Sequence, residues 1–350
     1  MTGILEGNLT LEWYRVDTPR LRAKTADPQR GLTYEDCNVG AYGYDAIPEF
    51  VRNRYSMASR GSALVAKLPD LGYTINRLSD VWADNVPALY EEAKARRWAP
   101  AVDIPWAELD GQADPLRSAA MAQACTLLEE VALVAMEVPG RWVASINQEF
   151  LELKSFLCAQ MIDEARHVEA CRKRALVSGS GLGRASVSAE QALKELLSAE
   201  TYPEASLATN LLLGSFVLAM YRALAAVAGT RADRLLGTLC MQDVARSVAY
   251  GVAHIRYHLA HQTGRTEALG DYLDRTEHTI VGIAGSAEFL EPLVLLAAGS
   301  REPAALARGA AVARRWFGTA TEEYLERCAA AGFPDRRERS PLVRLAASLA

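Results

Sequence analysis

Several features are missing from this 350-residue sequence. No alternation of apolar and polar residues is sustained after residue 45, which argues against strands and for helices. No CxxC spacing links the six cysteines, Cys37, Cys125, Cys158, Cys171, Cys240 and Cys328. Scattered in this way, they read as free, mostly buried thiols of a reducing compartment, neither a zinc site nor a disulfide framework. No basic stripe with interleaved aromatics is present; the net charge is -5, so nucleic acid is not expected as a partner. The opening MTGILEGNLTLEWYRVDTPR has early acids and no basic-then-apolar pattern, so a secretory leader is not expected. No uninterrupted apolar run reaches the ~18 residues that mark a spanning helix. A cytoplasmic protein without a membrane partner is the expectation.

A hydrophobic content of 50% is enough for a sizeable core. Residues 1–45, with Tyr34, Tyr42, Tyr44 and glycines from Gly31 to Gly43, read as an irregular arm of the kind that packs across a bundle or reaches a partner subunit. Residues 46–350 read as one helical domain, with its core bundle over about 116–262. A helix is expected from Pro48 and a second over 78–97. The stretch 98–115, rich in proline, then forms a connecting loop anchored by Trp98 and Trp106. Four long helices follow, over about 116–138, 144–176, 203–229 and 232–262. Long helices with short connections predict an antiparallel bundle. Further helix is expected over 266–277, 288–298 and 304–330.

The second long helix carries Glu164 and His167 at i, i+3, so a carboxylate and an imidazole share one face, one turn apart. Such a pair facing a bundle interior is half of a metal site. The neighbours Leu157, Cys158, Met161, Ala165 and Val168 are small or apolar, which implies burial. Asp163 and Arg166 flank the pair, where they would orient the histidine. The preceding helix supplies Glu129, Glu130 and Glu137. With a turn near residue 146, Glu129 stands at the height of Glu164 and is the first choice as third ligand.

The stretch Asp163-Glu164-Ala165-Arg166-His167 resembles the Asp-Glu-x-Arg-His motif of the ferritin-like carboxylate-bridged di-iron proteins. These include ribonucleotide reductase small subunits, bacterial multicomponent monooxygenases and arylamine N-oxygenases. Ala88 to Trp106 is more loosely similar to a region preceding the bundle in ferritin-like oxygenase relatives. The resemblance covers about residues 85–262 and implies an all-α, ferritin-like long four-helix bundle with additional helices. It also implies two metals, each half of the bundle giving a Glu from one helix and Glu-x-x-His from the next. Glu129, Glu164 and His167 fit the first half.

The second half departs from that pattern. Asp243-Val244-Ala245-Arg246-Ser247 repeats the Asp-x-Ala-Arg order, but the ligand positions are Val244 and Ser247. Between Glu204 and Asp233 there is no Asp, Glu or His at all. Asp243 and Arg246 are kept where a second shell would lie; the ligands are not. Three of the five histidines, His254, His258 and His261, share one face further along. They are an alternative metal cluster or, more simply, a polar seam. Tyr221, Tyr250 and Tyr257 are either cavity-lining or core.

Two functions are therefore in view. One is an O2-dependent oxidoreductase, of oxygenase type, acting on a small organic substrate. It would use one iron per chain, with manganese as the alternative metal. The other is a non-catalytic paralogue holding no metal, which binds a small ligand or serves as partner subunit. Assembly as a homodimer or with such a partner is expected in either case.

Overall fold

The computed structural model describes residues 7–12, 22–37, 47–52, 54–60, 62, 68–109, 114–177 and 181–349. Among them there is no β-strand, only isolated bridges such as Ile75 with Ile146. The fold is an all-α, ferritin-like bundle.

The helices are α1 (Val86–Ala95), α2 (Pro115–Val143), α3 (Leu151–Val177), α4 (Val187–Leu196), α5 (Tyr202–Ala226), α6 (Arg231–His261), α7 (Arg265–Ala284), α8 (Ala287–Ala298), α9 (Pro303–Ala331), α10 (Arg336–Arg339) and α11 (Pro341–Leu349). Local chemistry sets their ends. Asp114 caps α2 by accepting from Leu116 N, with Pro115 in the first turn. Thr201 and Glu204 form a capping box at the start of α5. Thr230 caps α6 by accepting from Asp233 N.

Helices α2, α3, α5 and α6 form the bundle as two antiparallel hairpins packed on each other. Leu207–Leu213 within α5 is π-helical. There α6 approaches so closely that a Cβ on Gly251 would lie 2.7 Å from Asn210 Cβ. Helices α7, α8 and α9 form a further layer; α8 packs on both α2 and α9.

Four expectations change. The helix expected over 78–97 is confined to Val86–Ala95, with only a single 3-10 turn, Leu78–Asp80, before it. The stretch from Pro48 is not helical in its described residues. Its backbone bonds run to other segments, Val51 N to Asn76 O, Leu78 N to Glu49 O and Leu71 N to Arg54 O, in place of an i→i−4 ladder. Helix α2 does not stop at Pro139-Gly140 but continues to Val143, with Pro139 inside it. Helix α4 occupies a stretch that had no assigned element; Ser186 caps it by accepting from Ala189 N. In the arm, Tyr34 N donates to Glu91 Oε1 at 3.0 Å and its ring meets Tyr90. Tyr42, Gly43 and Tyr44 lie outside the described residues.

By length and composition, α2 and α5 are apolar enough to cross a membrane, although no single apolar run is long. In this fold their apolar surface faces other helices: 56% and 78% of the relevant windows are buried.

Candidate metal centre and the ion-pair cluster that occupies it

The motif of α3 and its repeat on α6 meet at the centre of the bundle. Arg166 is paired with Asp163 on its own helix and, at 3.0 Å, with Asp243 of α6. Arg246 pairs with Asp243 on its own helix and, at 2.7 Å, with Asp163 of α3. Each arginine thus bridges both carboxylates, and the two i, i+3 pairs interlock across the helix interface. All four residues are buried. Asp163, Arg166, Asp243 and Arg246, singled out together in the sequence, come together as one closed quartet.

His167 and Glu164 lie beside this quartet. His167 Nδ1 is 2.9 Å from Glu164 Oε2, and Nε2 is 3.3 Å from Asp243 Oδ2. A carboxylate oxygen only accepts, so Nδ1 carries a proton toward Glu164, while Nε2 lies near Asp243 without a hydrogen bond. Burial alone would lower the His167 pKa. The Glu164 charge and hydrogen bond, with Asp243 close by, override that and raise it to about 9. Burial pushes Asp243 upward, but the adjacent His167, the charge of Arg246 and the bond from Trp98 hold it well below the usual carboxylate range. Asp163 lacks the histidine and tryptophan; burial and the neighbouring Asp243 raise it.

Trp98 was placed in a connecting loop by its sequence context. Its Nε1 donates to Asp243 Oδ2 at 2.7 Å, and Arg166 lies over its ring. No local signal connects Trp98 with a residue so distant in the chain. Trp106, also expected as an anchor, donates to Pro100 O at 2.7 Å.

Glu129 is not opposite Glu164. Its carboxylate meets Arg172 at 3.1 Å, about two turns further along α3. Cys125 lies against Cys171, and a Cβ on Gly140 would touch Met161. These contacts centre the α2–α3 hairpin a few residues later than 146, because α2 runs through Pro139. The α2 residues facing Glu164 across a small cavity are Leu128, Val131, Ala132 and Ala135. Val244 and Ser247 line that cavity too, as do Tyr221 and, from the π-turn, Thr209 and Asn210. The cavity measures about 20 Å³, room for about one water. Gln160, missed in the sequence, also lines it. Its Nε2 donates to Asn210 Oδ1 at 2.8 Å, while its Oε1 and Thr209 Oγ1 are buried without partners.

The histidine face of α6 is a polar seam. Buried His254 donates from Nε2 to Asp80 O at 2.9 Å, and His258 from Nδ1 to Ser79 O at 2.9 Å. His261 is bonded to Tyr257 O of its own helix. Burial, then the neighbouring His258, drives the His254 pKa down to about 3, so it is neutral. Tyr250 donates to Val81 O within the core, and Tyr257 stacks on His261. Tyr221 packs its ring 5.7 Å from that of His167.

Among the described residues, no group of three or more His, Cys, Asp or Glu side chains is placed to hold a metal ion. The residues do not fit a carboxylate-bridged centre. Glu164 and His167 converge, but Glu129 is committed to Arg172 and the second half offers Val244 and Ser247. The charge balance agrees. Asp163, Glu164 and Asp243 face Arg166, Arg246 and protonated His167, three acids against three cations. A divalent ion would displace one proton from His167 and leave a net positive charge in a buried site.

No protein-family model matches this sequence, and no curated protein matches it. Solved structures do. A mutant R2-like ligand-binding oxidase with an anaerobically reconstituted Mn/Fe cofactor is 20% identical. It aligns over 70% of this chain and 92% of its own, with a TM-score of 0.52. A second such mutant is 20% identical over 73% of this chain and 93% of its own, at a TM-score of 0.49. The first likeness establishes the fold, the ferritin-like bundle of the ribonucleotide-reductase-small-subunit-like oxidases. The Mn/Fe cofactor belongs to those proteins.

Proposed function

We propose that this chain is a non-catalytic ferritin-like paralogue of metal-bearing oxidases, a small-ligand binder whose interior is held by ion pairs where a metal centre would lie. The observation that carries this reading is the neutral six-group cluster. Every buried acid near Glu164 already has a protein cation, and the α2 wall of its cavity is wholly apolar, Leu128, Val131, Ala132 and Ala135, with Val244 at the α6 ligand position. The chain would act in the cytoplasm as a homodimer or alongside a metal-bearing partner subunit.

One observation favours a second reading. Trp98 donates to Asp243, Asp243 lies 3.3 Å from His167 Nε2, His167 Nδ1 is bonded to Glu164 at the cavity, and Gln160, whose Oε1 has no partner, lines the same space. On this reading the chain is an O2-dependent oxidoreductase of a small organic substrate, with one iron or manganese on Glu164 and His167. Metal analysis of protein expressed in iron- and manganese-supplemented medium separates the two. The first reading expects no stoichiometric metal. One ion per chain, lost in both Glu164→Ala and His167→Ala, would end it and establish the second. Co-purification with a metal-bearing chain would identify the partner-subunit form.

A further inference from the structure

A second and larger cavity lies between the bundle and its outer layer. Its volume is about 100 Å³, and α2 and α5 form one wall while α7, α8 and α9 form the other. Phe216, Phe289, Trp316 and Phe317 line it, with Ala284 and Ala320 among its buried small residues. None of its lining residues is charged or polar. Leu128, Leu213 and Val217 line both this cavity and the small one over Glu164. One layer of side chains therefore separates the apolar slot from the ion-pair cluster.

Size and chemistry select the occupant. A cavity of ~150 Å³ lined by Leu, Ile and Phe stays dry and binds benzene. The slot here is somewhat smaller, and Phe289 and Trp316 on its rim are half-buried. A single ring, or a short alkyl chain whose end projects between them, fits. A charged head group does not, since no cation lines the slot and an unpaired buried carboxylate is strongly disfavoured. Arg166 and Arg246 are both committed to Asp163 and Asp243.

We infer that this slot is a binding site for a small uncharged apolar molecule, an aromatic ring or short alkyl chain. It names the ligand class for the small-ligand reading above and rests on that reading for its role, while the binding is tested independently of metal content.

The test is calorimetric titration of the full chain with toluene and, in parallel, with hexanoate. Wild type is expected to bind one toluene per chain, and hexanoate far more weakly. Ala284→Phe and Ala320→Phe fill the slot from two different helices of the outer layer, α7 and α9, and each is expected to weaken toluene at least about tenfold. The absence of toluene binding to wild type overturns the assignment. So does binding that persists in both folded variants, or hexanoate binding as tightly. Should the variants misfold, nuclear Overhauser contacts between toluene and the Trp316 indole of wild type decide the matter, and their absence overturns it. A concentration-dependent doubling of mass that toluene does not reverse would show a second copy in the slot, and would equally overturn it.

Discussion

Helices α3 and α6 carry the same short order of residues and do different things with it. In α3 the sequence Asp163-Glu164-Ala165-Arg166-His167 gives one arm of the ion-pair quartet plus an acid and an imidazolium beside it. In α6 the sequence Asp243-Val244-Ala245-Arg246-Ser247 gives the other arm and leaves an apolar side chain and a hydroxyl facing the cavity. What the repeat preserves is therefore the charge lock, not the ligand set. The difference teaches that the two roles of such a motif are separable. Asp and Arg at i, i+3 hold the two hairpins together across the bundle. The residues one position further along each helix decide whether anything is bound.

The largest effect should come from breaking the lock. Asp243→Ala leaves Arg166, Arg246 and His167 short of an acid, and loss of one partner from a buried ion pair costs about 3–5 kcal/mol. Chemical denaturation measures it. A loss as small as that of a surface substitution would show that the quartet does not join the halves.

Next comes pH. His167 is raised to about 9 from a reference of 6.5, so its contribution is fully present below pH 6.5 and is lost as pH rises through 9. Stability should fall by roughly 3 kcal/mol across that window, and His167→Phe should flatten the slope. His254, lowered to about 3, has the opposite sign: its contribution is present above pH 6.5 and is lost as pH falls toward 3. Two buried histidines in one bundle thus give slopes of opposite sign, because one faces two carboxylates and the other a carbonyl.

The comparison sharpens if the missing ligands are put back. Val244→Glu combined with Ser247→His adds two donors to the cavity already holding Glu164. The double variant should take up one metal ion per chain, with a stabilisation of about 2.7 kcal/mol at a hundredfold excess over Kd. Failure to bind metal would mean that positions 244 and 247 are not what separates the two helices. The smallest effect is expected from Ser247→Ala, within about 0.5 kcal/mol, because its hydroxyl belongs to no part of the quartet.

The long helices were legible because their apolar periodicity and caps are local. The Glu164–His167 pair was legible for the same reason, since spacing on one helix fixes a shared face. The Asp-x-x-Arg repeat pointed to four residues flanking the ligand positions, and all four meet. Glu129 was misplaced because its height depends on where α2 ends, and a buried proline inside a helix reads in sequence as a stop. The stretch from Pro48 is not a helix because its backbone partners, Asn76, Leu78 and Leu71 among them, lie beyond it in the chain, which no local pattern shows.

By itself, then, the sequence determined the helical class, the caps, the paired acid and histidine on α3, and the loss of both ligands on α6. Each follows from residues within a few turns of one another. The tertiary structure alone decided which carboxylate faces which cation. That choice turns on helix register and on contacts between residues far apart in sequence, such as Trp98 with Asp243. A shift of two turns in a hairpin moves a side chain about 11 Å, enough to turn an expected metal ligand into the partner of Arg172.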